Sequence, residues 1–264
     1  MRSIVANGVR VAYRVDGSED TARPWIVFSH SLACDHRMWD PQAAAFRDYR
    51  LLRYDTRGHG ASEAPAADYP LEALADDLKG LLDALGVATC HFVGLSMGGM
   101  IGQQFALRYP RRLATLTLAD TTSRYPVEAA AVWEQRLALV RSQGMGAIVP
   151  STLERWFTAG FREAQPEVVA RIAEMIRSTP VAGYAGCAFA ISHINLTARL
   201  ATIDCPTLVV VGDEDLGTPP SMSEEIVHAI PGARLQVLPA AHLSSIEQAD
   251  RFNAVLRQFL NANS

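Results

Sequence analysis

The chain has 264 residues, of which 49% are hydrophobic and 20% charged, enough apolar material for one substantial core with no compositional break to mark a second. Its 24 basic and 28 acidic residues are spread along the chain and leave a formal charge of −4, so there is no basic stripe for phosphates or anionic lipid, and nucleic acid is not an expected partner. No apolar run approaches the ~20 residues that span a bilayer, so no membrane association is expected. The opening MRSIVANGVRVAYRV lacks the apolar core of a signal peptide. Cys34, Cys90, Cys187 and Cys205 are widely spaced, with no C-x-x-C pair, as in a reduced cytoplasmic protein.

In chain order, Val9 to Val15 and Trp25 to Ser29 have strand composition and are separated by the turn-rich DGSEDTARP, which predicts an opening antiparallel hairpin. Alternation follows: a strand at Leu51 to Tyr54, a helix at Leu71 to Leu85, a buried strand at Cys90 to Leu95, a helix at Met97 to Tyr109 and a strand at Leu113 to Leu118. Such alternation predicts an α/β fold, a parallel sheet covered on both faces. Between about Thr122 and Leu200 the rhythm fails. VWEQRLALVRSQGMGAIV, STLERWFTAGF and PEVVARIAEMIRS all read as helices with no strand between them. Strand signal resumes at Pro206 to Val211 and near Arg234 to Leu238, with helices at Ser221 to Ala229 and Glu247 to Phe259. The expected organisation is a core of residues 1–121 and 201–264 with a helical lid of residues 122–200.

Gly94-Leu95-Ser96-Met97-Gly98 fits G-x-S-x-G between a strand and a helix, the context in which a sharp turn presents a nucleophilic serine above a sheet edge. The glycines let the strand and helix pass closely, and the helix N-terminus favours developing negative charge. A serine hydroxyl needs a base, and the base needs an orienting acid, in the chain order serine, acid, histidine. The strand PTLVVVG ends in Gly212-Asp213-Glu214-Asp215, which makes Asp215 the first candidate acid, with Asp213 and Glu214 competing. His242, between the last predicted strand and the closing helix, is the candidate base. Asp120 is a rival acid, read more simply as a cap or turn residue before Thr121 and Thr122. For the oxyanion, the candidate donors are the amides of Met97, after the nucleophile, and Leu32, in the loop after the strand WIVF. His30, at that strand's end, is expected to be structural.

Together SHSLACDHRMWDPQ (29–42), YDTRGHGAS (54–62), GLSMGGMIGQQFALRYP (94–110), GDEDLGTPP and AAHLSSIEQ resemble the α/β-hydrolase superfamily over nearly the whole chain. The resemblance implies a mostly parallel eight-stranded sheet with helices on both faces and a helical lid insertion. Within the superfamily the chain is most similar to 3-oxoadipate enol-lactonases, through S-L-x-x-D-x-x-M-W-D-P-Q, LERWFT (153–158) and GYAGCAFAI (183–191). This likeness implies acyl-serine hydrolysis of a small carboxylated enol-lactone, with no metal and no cofactor. The family's G-x-x-D-x-x-T-P places its acid at Asp215. Many such hydrolases form dimers, so a homodimer is among the expected assemblies.

Two departures bear on the substrate. After GYAGC those enzymes typically carry an arginine and acidic residues, whereas this chain reads AISHINL, with Ser192 and His193 there. Ala33 and Cys34 replace the expected Gly-Thr. A lost cation predicts weaker recognition of a free carboxylate. Trp133, Trp156, Phe157 and His193 are the candidate pocket walls, and an aromatic, mostly neutral lid would suit a less charged ester. The alternative reading is therefore a carboxylesterase of broader specificity, with perhydrolase side activity compatible with the same triad. A carbon–carbon bond hydrolase fits the His30-Ser31-Leu32-Ala33 loop less well, and a receptor without turnover fits the full set of catalytic groups less well.

Overall fold

A computed structural model describes residues 1–126 and 128–263. The strands β1 (Arg2–Ala6), β2 (Val9–Gly17), β3 (Trp25–Ser29), β4 (Arg50–Tyr54), β5 (Cys90–Leu95), β6 (Leu113–Ala119), β7 (Thr207–Gly212) and β8 (Arg234–Leu238) form one sheet. Their order is β1-β2-β4-β3-β5-β6-β7-β8. From β4 to β8 every neighbouring pair is parallel, and only β1 and β2 run against their partners. The expected mostly parallel eight-stranded sheet is therefore observed.

The opening hairpin lies one strand earlier than the strand composition predicts. β2 pairs with β1 and with β4, not with β3. The reason is local: Asn7 and Gly8 both have positive φ (48° and 79°), as a two-residue turn between twisted antiparallel strands requires. The strands β3, β5 and β7 are buried along their whole length, which explains why they read as continuous apolar runs rather than alternating ones.

Helices α1 (Asp40–Ala45), α2 (Leu71–Ala84) and α3 (Met97–Arg108) precede the end of β6. Five more, α4 (Ala129–Gln143), α5 (Val149–Trp156), α6 (Ala159–Ala164), α7 (Pro166–Ser178) and α8 (Val181–Ser192), lie between β6 and β7. The chain closes with α9 (Pro220–Ala229), α10 (Ser244–Glu247) and α11 (Ala249–Asn261). α2 packs beside α3 and α1 beside α11, giving the sheet its two helical layers. The segment holding α4 to α8 leaves and rejoins the core side by side: Arg124 bridges Asn195, and the Leu196 amide donates to the Ser123 carbonyl at 2.8 Å. Its α8 rests directly on the loop after β4, where a Cβ on Gly183 would stand 2.0 Å from the Gly58 carbonyl oxygen.

Three pieces of backbone converge where β5 turns into α3. A Cβ on Gly94 would lie 2.3 Å from the Gly98 carbonyl oxygen, and one on Gly98 would lie 2.1 Å from the carbonyl oxygen of Ser29 at the end of β3. The obstacle is main chain in both cases, so no side chain can rotate away to make room. Gly98→Ala is expected to lower the unfolding free energy by about 3 kcal/mol, read in urea as a lower midpoint at unchanged slope. At Gly146 the added methyl meets nothing within 4 Å, and the same substitution there should stay within about 0.5 kcal/mol of the parent.

Candidate active site

Ser96 occupies the turn between β5 and α3 with φ 57° and ψ −117°, a conformation an L-residue adopts only when its surroundings enforce it. The end of β6 does so. The Ser96 amide donates to the Ala119 carbonyl at 2.8 Å, and the Thr121 hydroxyl donates to the Ser96 carbonyl at 2.7 Å. Met97, buried, is the first residue of α3, where amides have no acceptor within the helix and point toward whatever lies at its N-terminus.

Asp215 follows β7, and its carboxylate is fully engaged. Oδ1 accepts from the amides of Gly217 (2.7 Å) and Thr218 (3.0 Å), while Oδ2 accepts from the Thr218 hydroxyl at 2.8 Å and from His242 Nδ1 at 2.7 Å. Because a carboxylate only accepts, Nδ1 carries the imidazole proton, and Nε2 is left with a lone pair. The His242 ring stacks on Trp156 of α5 at 6.0 Å. Glu247 anchors the histidine's loop by accepting from the Ala241 amide at 3.1 Å and from the Thr158 amide at 3.3 Å, tying it to the helical insertion. The rival acids are occupied elsewhere: Asp213 accepts from the Ala240 amide, and Asp120 is buried among Gly212 and Ser244 rather than capping a helix.

The loop after β3 is held by two buried imidazoles. His30 Nδ1 contacts the Ser31 carbonyl at 2.7 Å while its Nε2 accepts from the Thr56 amide, and His59 Nε2 accepts from the amide of Ala33, itself at φ 61°. An Nε2 that accepts from an amide must be unprotonated. Burial and then the neighbouring His30 push His59 down to about 3, so this scaffold stays neutral at physiological pH. Asp35, His36 and Asp55 approach one another closely enough to ligate a cation. In this protein they knit the same region together, with Asp55 accepting from the His36 amide and ring and from the Ala61 amide, and Asp35 pairing with Arg37.

A cavity of about 250 Å³ opens over these groups, with Ser31, Leu32, Ala33, Ser96, Gly217 and His242 on its floor and Tyr125, Trp133, Arg136, Arg155, Trp156, Tyr184 and Ile191 among its walls. It brings together Ser96, His242, Leu32, Trp133 and Trp156 from the sequence reading. Phe157 and His193 lie outside it. Phe157 is fully buried and stacks on Phe161 at 5.1 Å, because in the Trp156-Phe157 pair one ring faces the cavity and the next faces the interior of the insertion. His193 ends α8 exposed, stacked on Phe189 at 4.1 Å.

The expectation of a mostly neutral lid also needs correction. Arg136 and Arg155 both line the cavity. Arg136 donates to the Tyr184 and Thr152 hydroxyls, and Arg155 Nε has no hydrogen-bond acceptor among the described residues. Burial and then the charge of Arg136 depress the Arg155 pKa, as expected of two cations facing an enclosed space without an anion. The signal was present in the sequence. Arg136 stands three residues after Trp133, on the same helix face, and Arg155 immediately precedes Trp156 in LERWFT.

Burial alone would lower the His242 pKa, but the charge and hydrogen bond of Asp215, aided by Asp120, outweigh it and raise the pKa above 6.5. Burial pushes Asp215 the other way, and the His242 charge and hydrogen bond together with Thr218 bring it below its usual 3.8. The arrangement can therefore supply an imidazole that accepts a proton readily and is stabilised once it has done so.

A family model described as the alpha/beta hydrolase fold matches residues 24–249. A 3-oxoadipate enol-lactonase of Acinetobacter baylyi is 36% identical over 97% of both chains. The crystal structure of an enol-lactonase from Burkholderia xenovorans superposes with a TM-score of 0.96 at 41% identity, covering 98% of this chain and 100% of that one. A thermophilic esterase from Thermogutta terrifontis, solved with malate bound, superposes with a TM-score of 0.93 at 31% identity over 100% of this chain and 99% of its own.

An imidazole raised above 6.5 must lose its proton before it can act as a base, so labelling of the serine should fail as pH falls. With diethyl p-nitrophenyl phosphate as the probe, the rate of p-nitrophenol release should drop with a midpoint above 6.5. A midpoint below that value would mean that burial outweighs the carboxylates. Asp215→Asn should slow the reaction by roughly 10⁴-fold.

Proposed function

Because the chain belongs to the α/β-hydrolase family, we propose that its cavity hydrolyses a small lactone bearing a free carboxylate, of the 3-oxoadipate enol-lactone kind, through an acyl-enzyme on Ser96. The observation that carries this reading is the presence of Arg136 and Arg155 in the same cavity as Ser96 and His242, with Arg136 held only by hydroxyls and Arg155 Nε without an acceptor among the described residues. A desolvated guanidinium without an anion is costly, and a carboxylate presented bidentately is the ligand it fits best. The enol-lactonase relatives act on a substrate class that would supply it.

The residues that share the cavity support an acyl-enzyme route. His242 Nε2 takes the Ser96 proton as Oγ attacks the lactone carbonyl, and Asp215 keeps the imidazole in its Nδ1–H tautomer and stabilises the imidazolium. The amides of Leu32 and Met97 hold the oxyanion as the tetrahedral adduct forms. Collapse of the adduct breaks the ring C–O bond, and His242 returns its proton to the leaving oxygen, which stays tethered to the acyl group. Water then repeats the sequence and frees the acid. With the substrate carboxylate held by the arginines, the carbonyl is presented to Ser96 in the same cavity, so binding energy is spent on orientation.

A second reading, a broader carboxylesterase, is favoured by Val132 and Leu216. Both line the cavity while remaining 59% and 74% exposed, an apolar rim suited to an uncharged acyl or alcohol group. The deciding experiment is steady-state hydrolysis of 3-oxoadipate enol-lactone beside p-nitrophenyl acetate by wild type, Ser96→Ala and Arg155→Met. Ser96→Ala should abolish turnover of both. Arg155→Met should raise KM for the lactone by about 10- to 100-fold, the worth of a charge-assisted contact of about 1.5–3 kcal/mol, and leave the acetate ester within about twofold. Equal effects on both substrates, or a wild type that ignores the lactone, would overturn the carboxylate reading in favour of the esterase.

A further inference from the structure

Asp120 is fully buried at the end of β6 and has a positive φ of 45°, uncommon for a residue other than glycine. Its carboxyl reaches two other segments. Oδ1 accepts from the amide of Gly212 at the end of β7, 2.9 Å away. Oδ2 meets the Ser244 hydroxyl at 2.5 Å and the Ser244 amide at 3.3 Å. Gly212 lies three residues before Asp215, and Ser244 two residues after His242. The flanking residues Ala119 and Thr121 bind the Ser96 backbone, so one tripeptide touches all three segments that carry the proposed triad.

We propose that Asp120 is a positioning residue: its carboxyl locks the end of β7 and the His242 loop onto the end of β6, and so holds Asp215 against His242 Nδ1. This rests on the triad reading given above. Asp120 does not replace Asp215 as the orienting acid, because both of its oxygens are committed to Gly212 and Ser244, whereas Asp215 Oδ2 is the atom at His242 Nδ1.

The placement has an electrostatic side as well. The charged and titratable groups that face this carboxyl are Asp215 and His242, with Arg155 and Tyr125 acting on the same pair. Burial and then the negative charge of Asp215 push Asp120 up to about 8, against the opposing pull of His242. The ionisation of Asp120 is therefore coupled to that of His242. Once His242 is an imidazolium, its positive charge favours the ionised form of Asp120, adding stabilisation at the stage when the histidine is charged.

The test compares wild type, Asp120→Asn, Ser244→Ala, Asp215→Asn and Ser96→Ala across pH, reading p-nitrophenol release from diethyl p-nitrophenyl phosphate and steady-state hydrolysis of p-nitrophenyl acetate. Asp120→Asn keeps the acceptor for Gly212 and the shape of the side chain but removes the titratable group. It should slow serine labelling about tenfold, leave KM for the ester within about twofold, and move the acid midpoint to lower pH, a shift that a purely structural role would not produce. Ser244→Ala, which keeps the carboxyl and removes one of its partners, should shift the midpoint in the same direction by less, and it provides the reading if Asp120→Asn does not fold. An unchanged rate and midpoint in the folded variants would overturn the proposal. So would loss of activity in Asp120→Asn with wild-type behaviour in Asp215→Asn, which would make Asp120 the orienting acid. Activity retained by Ser96→Ala would instead refute the triad reading itself.

Discussion

The site depends on one close approach. The main chain of α3 passes so near the ends of β3 and β5 that residues 94 and 98 have no room for a Cβ. That contact forces Ser96 into a backbone conformation which, left to itself, would relax within a turn. The bonds from β6 to the Ser96 amide and carbonyl complete the constraint. The serine thus emerges where three parallel strands end together, and the loops bearing Asp215 and His242 leave that same edge because the parallel order continues from β6 to β7 and then to β8.

Much of this was legible in the chain. G-x-S-x-G between an apolar run and an amphipathic stretch reports a steric requirement, and steric requirements leave glycines behind. The meeting of Asp215 and His242 is legible because a strand end and a following loop locate each along the sheet edge, even though the two are far apart in sequence. Strand composition alone misplaces the opening hairpin, because Asn7-Gly8 is the stronger local signal for a two-residue turn. The pocket was the least legible part. Which of two adjacent aromatics faces a cavity depends on how the helices of the insertion pack on one another, and no periodicity in a short helix distinguishes Trp156 from Phe157. The cavity's cations do not follow GYAGC, where the family resemblance points, because Arg136 and Arg155 come from other helices.

Charge in this molecule follows a consistent division. The groups that hold the loop after β3 in shape, His30 and His59, are kept neutral by burial, so the frame does not respond to small changes in pH. The groups around His242 are shifted instead: the imidazole is raised, one carboxyl is lowered and a second carboxyl is raised. Low dielectric serves both purposes, through isolation in one place and through coupling in the other.

The contact between Gly58 and Gly183 bears on how such a protein can diversify. The helix α8 belongs to the insertion that walls the cavity, yet it lies backbone to backbone on the loop whose His59 ring holds the amide of Ala33, next to the residue assigned to the oxyanion. The insertion is therefore not an interchangeable module. A lid transplanted from a relative would carry its own spacing at this contact, and with it a new position for the donor loop, so selectivity and rate are inherited together across this interface. Substitutions that change what the cavity accepts are freest on α4 and α5, away from that seam, and Trp133, Arg136 and Arg155 all lie on those two helices.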